Sequence, residues 1–253
     1  MDRPQALLDR LAAIGRSLSG RESALALLGL GSVGQERERL DDWSDLDFFA
    51  LVAEGHKDAF LDDLSWLSAV APLAYVFRNT PDGYKLLYAD GIFCEMAVFT
   101  PSELAAAAYA PGLVVWRRPE VPESIAAPAR PAEPPAAPAD EWLVGEALTN
   151  LYVGLGRWHR GERLSAARFI QQYAVDRLIE LAERREPPQP VPRDLFTPER
   201  RVERRLPEFA AHLPQFAQGY GRSRESALAI LAYLEQRAPV NDALAQAIRA
   251  LAE

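Results

Sequence analysis

Asp42-Trp43-Ser44-Asp45-Leu46-Asp47-Phe48-Phe49 decides how the first half of this chain is read. Two carboxylates, Asp45 and Asp47, stand at i and i+2 where an apolar run begins. In a strand, such side chains share a face, about 6.6 Å apart along the chain. An acid beside Leu46, Phe48 and Phe49 needs compensation, and a divalent cation supplies it. The other reading is that Asp45 caps a loop and Asp47 is a solvated strand residue.

Upstream, Ala24–Leu30 is a short apolar run that reads as a buried strand and ends at Gly31-Ser32-Val33-Gly34. Glycine permits a tight turn and lets backbone N–H groups approach phosphate oxygens; Ser32 adds a hydroxyl donor. Between two strands, this turn brings a phosphate cradle to the same end as the two acids. Downstream, Glu95 lies in Ile92-Phe93-Cys94-Glu95-Met96-Ala97-Val98-Phe99. Alternation puts it on a face with Phe93, Ala97 and Phe99, where a lone acid is costly unless paired or metal-bound. Cys94 faces the other way and reads as core.

The remaining pattern fills in the layout. Residues 4–19 and 57–67 have helical spacing; 46–53, 73–77, 85–88 and 92–99 read as strands; Pro81-Asp82-Gly83 and Asp90-Gly91 are turns. A short helix opens at Pro101. Residues 119–139 carry Pro119, Pro122, Pro128, Pro131, Pro134, Pro135 and Pro138, the composition of a linker or surface loop. Beyond it, 141–159, 164–184, 198–217, 222–237 and 240–252 read as helices. The fold class expected is α+β: a small mixed sheet flanked by helices over 1–118, the joint at 119–139, and an all-helical domain over 140–253.

Composition narrows the partners. The chain has 253 residues, a formal net charge of −8 and a single cysteine. An acidic surface disfavours nucleic acid as a bulk partner. One cysteine permits no intrachain disulfide, which fits the cytoplasm. No run approaches the roughly 18 apolar residues of a membrane span, and the N-terminus shows no apolar leader region. The long apolar helices suit packing within the chain or across a homodimer. The Arg200-Arg201 and Arg204-Arg205 pairs alternate with glutamates and read as a solvated helix face.

The order of an apolar run, Gly31-Ser32, then Ser44-Asp45-Leu46-Asp47-Phe48, then an acid in a later strand resembles the polymerase-beta-like nucleotidyltransferase superfamily. Within it, Trp43-Ser44-Asp45-Leu46-Asp47 and the helical second half are most similar to bacterial antibiotic nucleotidyltransferases, the lincosamide enzymes first and the aminoglycoside enzymes next. The motifs span 31–99. The resemblance implies that Asp45 and Asp47 bind Mg2+ carrying ATP or another nucleoside triphosphate, and that Gly31 and Ser32 hold its phosphates. It implies that Glu95 is a third metal ligand or the general base for the acceptor hydroxyl, with pyrophosphate leaving. The acceptor would be a small antibiotic-like molecule, met by the helical half through groups such as Glu146, Tyr152, Arg157 and Arg168. Transfer to a protein or tRNA, and a non-catalytic nucleotide-binding relic, are the other readings. One departure is the charged run Gln35-Glu36-Arg37-Glu38-Arg39-Leu40, where relatives have a shorter gap; its glutamates repel nucleotide unless Arg37 or Arg39 offsets them.

Overall fold

The computed structural model describes residues 2–129, 138–187, 189–194 and 196–253. The chain divides into two compact units, Met1–Glu133 and Pro134–Glu253.

The first unit is built on a six-stranded sheet. Its strands are β1 (Ala24–Gly29), β2 (Leu46–Val52), β3 (Leu73–Thr80), β4 (Gly83–Tyr88), β5 (Phe93–Phe99) and β6 (Leu113–Arg117), in the order β3-β4-β5-β2-β1-β6. The β2–β5 pair is parallel and the other four pairs are antiparallel. Helix α1 (Arg3–Ser19) opens with Pro4 in its first turn, where the missing N–H has no partner to lose, and buries Leu7, Leu11, Ile14 and Leu18. With α2 (Lys57–Asp62) and α3 (Ser65–Ser68), it covers one face of the sheet, where Phe48, Trp66, Cys94, Met96 and Val98 pack together. The sequence predicts one helix over 57–67. Asp63 breaks it by turning extended, and its carboxylate accepts from the Ser65 backbone N–H, which starts the next turn.

The opposite face is covered over only part of its area. Helix α4 (Pro101–Ala106) starts at a capping box in which Thr100 and Glu103 bond each other's backbone N–H. Its Leu104 packs with Tyr109, Val121 and Ala126 against Ala26, Leu28 and Leu51. Thus part of the 119–129 stretch, which reads as connector in the sequence, carries buried side chains and a 3-10 turn at Glu123–Ala126. The rest of the proline-rich segment, 130–137, lies outside the described residues. Strand β6 goes unsignalled in the sequence reading; it pairs with β1 at one edge.

The second unit is helical. Helix α5 (Asp140–His159) is its centre, followed by α6 (Arg163–Arg168), a π turn (Phe169–Tyr173), α7 (Ala174–Ala182), the short turns α8 (Val202–Arg205), α9 (Pro207–Ala210) and α10 (Leu213–Phe216), then α11 (Ser223–Glu235) and α12 (Asp242–Ala252). Leu143, Ala147, Leu151 and Leu155 on α5 share a core with Ile170, Leu178, Ile230 and Ile248. The stretch 198–217 is three short turns rather than one helix; Pro207 and Pro214 each sit where a helix restarts. Arg205 departs from the solvated-face reading: it is buried and donates to the Glu183 carboxylate and the Pro198 carbonyl. No helix among the described residues is long and apolar enough to cross a membrane.

Candidate active site

The parallel pairing of β2 and β5 sets the geometry. In register, Leu46 lies beside Cys94 and Asp47 beside Glu95. Side chains paired laterally in a sheet point to the same face, so Asp47 and Glu95 stand next to each other on the partly covered face. Both line an open pocket of about 420 Å³, together with Phe49, Asp82, Ala97 and Phe99. Asp45 is just outside β2, one residue before its first position. Burial pushes the Cys94 thiol up to about 12; Arg10 opposes this, and the charges of Asp45 and Asp47 add to it.

The Gly-Ser turn reaches the same place. Leu30 N–H donates to the Asp47 carbonyl at 2.8 Å, which ties the end of β1 to the acid-bearing strand. Gly31 then takes φ +51, the left-handed region that glycine enters without strain. A Cβ at Gly31 would stand 3.8 Å from Asp47 Oδ2 and 3.6 Å from Arg39 Nη2. The backbone thus passes beside the carboxylate with no side chain between. Ser32 is in the 3-10 turn Gly31–Val33, and the Gly31 carbonyl accepts from both Gly34 and Glu36 N–H at 3.0 Å. Gly34 is tighter: a Cβ there would lie 2.6 Å from the Gly29 carbonyl oxygen. The charged loop folds on itself, with Arg39 donating to Glu36 and Arg37 Nε to the Gly34 carbonyl.

Glu95 is held from its other side. Lys85, its cross-strand neighbour on β4, places Nζ 3.1 Å from Glu95 Oε2, and the Asn79 amide donates to Oε1 at 3.4 Å. Lys57 bridges the pocket residue Asp82 at 2.6 Å and Glu103 at 2.8 Å. Burial alone would depress the Lys57 ammonium, but the bonds to these two carboxylates raise it overall. Lys85, Asn79 and Lys57 escape the sequence reading. Strand alternation marks Lys85, but only the β4–β5 register shows that it meets Glu95.

Among the described residues, no three His, Cys, Asp or Glu side chains gather into a metal-holding group. The acids are therefore not a preformed three-carboxylate cage: Asp47 and Glu95 adjoin, and Glu95 is engaged by Lys85. Magnesium asks for less. It takes hard oxygen donors, commonly one or two protein carboxylates, and completes its shell with water and phosphate. Asp45 and Asp47 are of that donor type; Asp47 lines the pocket and Asp45 directly precedes β2. Of the helical-half candidates, Arg157 and Arg168 line one pocket of the second unit, whereas Glu146 and Tyr152 do not.

No protein-family model matches the chain, and no curated protein matches its sequence. Solved structures similar to it include an aminoglycoside 6-adenyltransferase from Bacillus subtilis, 11% identical, over 95% of this chain and 89% of that one at a TM-score of 0.32. A nucleotidyltransferase-like protein from Exiguobacterium sibiricum is 11% identical over 91% and 75%, at 0.31. A CD-NTase from Bradyrhizobium diazoefficiens in complex with GTP is 16% identical over 93% and 99%, at 0.28. These scores are low, and the functional reading rests on the residues of the site.

Proposed function

We propose that the chain is a magnesium-dependent nucleotidyltransferase that moves a nucleoside monophosphate, AMP from ATP, onto a hydroxyl of a small molecule of the lincosamide or aminoglycoside type. The observation that carries the reading is the β2–β5 register, which sets Asp47 beside Glu95 in one pocket with the bare backbone of Gly31 alongside. The motif order along the chain supports the same reading, and the antibiotic acceptor rests on that order alone.

In this account Asp45 and Asp47 hold magnesium, which neutralises charge on the triphosphate when bound. The N–H groups at Gly31-Ser32 and the Ser32 hydroxyl orient the phosphates. Glu95 accepts the proton of the acceptor hydroxyl, and Lys85 and Asn79 fix its orientation for that task. The acceptor oxygen forms a bond to the α-phosphorus. The bond from that phosphorus to the bridging oxygen breaks, and pyrophosphate leaves with the electron pair.

Equilibrium binding of ATP to the intact chain, with and without magnesium, tests the reading. Magnesium should tighten binding by about tenfold or more in the native protein and have little effect in Asp47→Asn. Binding indifferent to magnesium, or a magnesium effect retained in Asp47→Asn, would contradict the assignment.

A further inference from the structure

The helical unit has a pocket of its own, of about 530 Å³, where α5 ends and α6 begins. Arg157, Arg163 and Arg168 all line it, and the one acid among its lining residues, Glu162, is taken by Arg160 at 3.0 Å. Among the described residues, none of the three guanidiniums has a carboxylate within ion-pair distance. A chain of net charge −8 thus presents a locally positive cavity.

Two of the three cations are set in place by rings. Arg157 lies 4.0 Å above the centroid of Phe169 and donates to the Ser165 hydroxyl; Arg163 lies 3.6 Å above the ring of Trp158. A stacked guanidinium keeps its plane fixed and its N–H edge available, the arrangement that suits bidentate contact with a phosphate. The wall continues with rings left open to solvent: Tyr173 is 44% exposed and Tyr220 is 62% exposed. Phe169 and Tyr173 begin and end the π turn, a helix irregularity found often at functional sites. Gly154 allows α5 to approach that turn, since a Cβ there would meet Ile170 at 2.6 Å.

We propose that this pocket is a second binding site, separate from the carboxylate pocket of the first unit, for an organic phosphate that carries a flat ring. The arginines read the phosphate, and the open tyrosines take the ring face. The volume is far more than a bare phosphate fills and falls in the range of small-ligand pockets. The same charge excludes polycations from this cavity. The proposal does not depend on the nucleotidyl-transfer reading.

The test is calorimetric titration of the full chain in the Asp47→Asn background, without magnesium, using AMP, ribose 5-phosphate and inorganic phosphate as probes. AMP should bind at one site per chain, about tenfold tighter than either of the other two. Arg163→Ala and Arg168→Ala should each weaken AMP by about tenfold. Arg168→Lys, which keeps charge but loses the fork, should fall between Arg168→Ala and the parent. Tyr173→Ala should weaken AMP without changing inorganic phosphate. Thermal melts show whether each variant is folded. Undetectable AMP binding to the folded parent would overturn the proposal. So would AMP affinity equal to that of inorganic phosphate or ribose 5-phosphate, or unchanged by the arginine substitutions.

Discussion

Asp47 on β2 and Glu95 on β5 are register partners across the one parallel pair of the sheet, and both face the same open pocket. Like charges placed side by side on neighbouring strands are unfavourable. Here Lys85 offsets the Glu95 charge from the next strand, 3.1 Å away. The two acids therefore have different neighbours, an asymmetry of the site: Asp47 lies beside the Gly31 turn that Arg39 also approaches, and Glu95 lies beside Lys85 and Asn79.

That asymmetry separates the roles. If Glu95 takes the acceptor proton while Asp45 and Asp47 serve the nucleotide, Glu95→Gln should lower kcat by about 100-fold or more and leave ATP affinity nearly unchanged. Steady-state kinetics paired with direct ATP binding make the comparison. A collapse of ATP affinity in Glu95→Gln would make Glu95 a metal ligand instead.

The two glycines of the turn should differ in stability. Gly31→Ala puts an L-residue at φ +51 with no close contact, a cost of about 1 kcal/mol. Gly34→Ala drives a Cβ to 2.6 Å from the Gly29 carbonyl oxygen, so the backbone must move, and the cost should reach about 2–3 kcal/mol. Urea denaturation of both variants checks the order; equal losses would contradict the described packing.

Asp176 on α7 gives a pH dependence. Burial pushes its carboxyl above the ordinary value, with Glu199 and Glu180 adding to the rise and Arg177 opposing it. Because the folded form holds this proton more tightly than the unfolded form, its contribution to stability is full at low pH. It is lost as pH rises through the folded pKa. Asp176→Asn should therefore be more stable than the parent at neutral pH, by about 0.5 kcal/mol given the carboxyl's partial exposure. The gain should shrink towards acid pH. Thermal melts across the pH range would show the gain growing towards acid pH if the sign were reversed.

Much of this fold is legible in the residues. The period-2 alternation of 93–99 places Glu95 and Cys94 on opposite faces, and the structure has Cys94 buried and Glu95 on the pocket. The 3-and-4 spacing of Leu7, Leu11, Ile14 and Leu18 gives the buried stripe of α1. What escapes is set by tertiary contact. Leu113–Arg117 is a short apolar run after Pro111-Gly112, and only its pairing with β1 makes it a strand. Val121 and Ala126 lie in proline-rich sequence that reads as connector, yet they find an open sheet face. Lys85 is one of two lysines in the chain, and only strand register sets it opposite Glu95. Periodicity assigns faces, whereas register between distant strands assigns neighbours, and the site depends on neighbours.

Nucleotidyl transfer by this chain is tested by pyrophosphate release from ATP and magnesium, assayed with lincosamides, with aminoglycosides and without acceptor. Release should require magnesium and an acceptor of one drug class, and should disappear in Asp47→Asn and in Asp45→Asn. Release that persists in either variant, or none with any acceptor of either class, would contradict it.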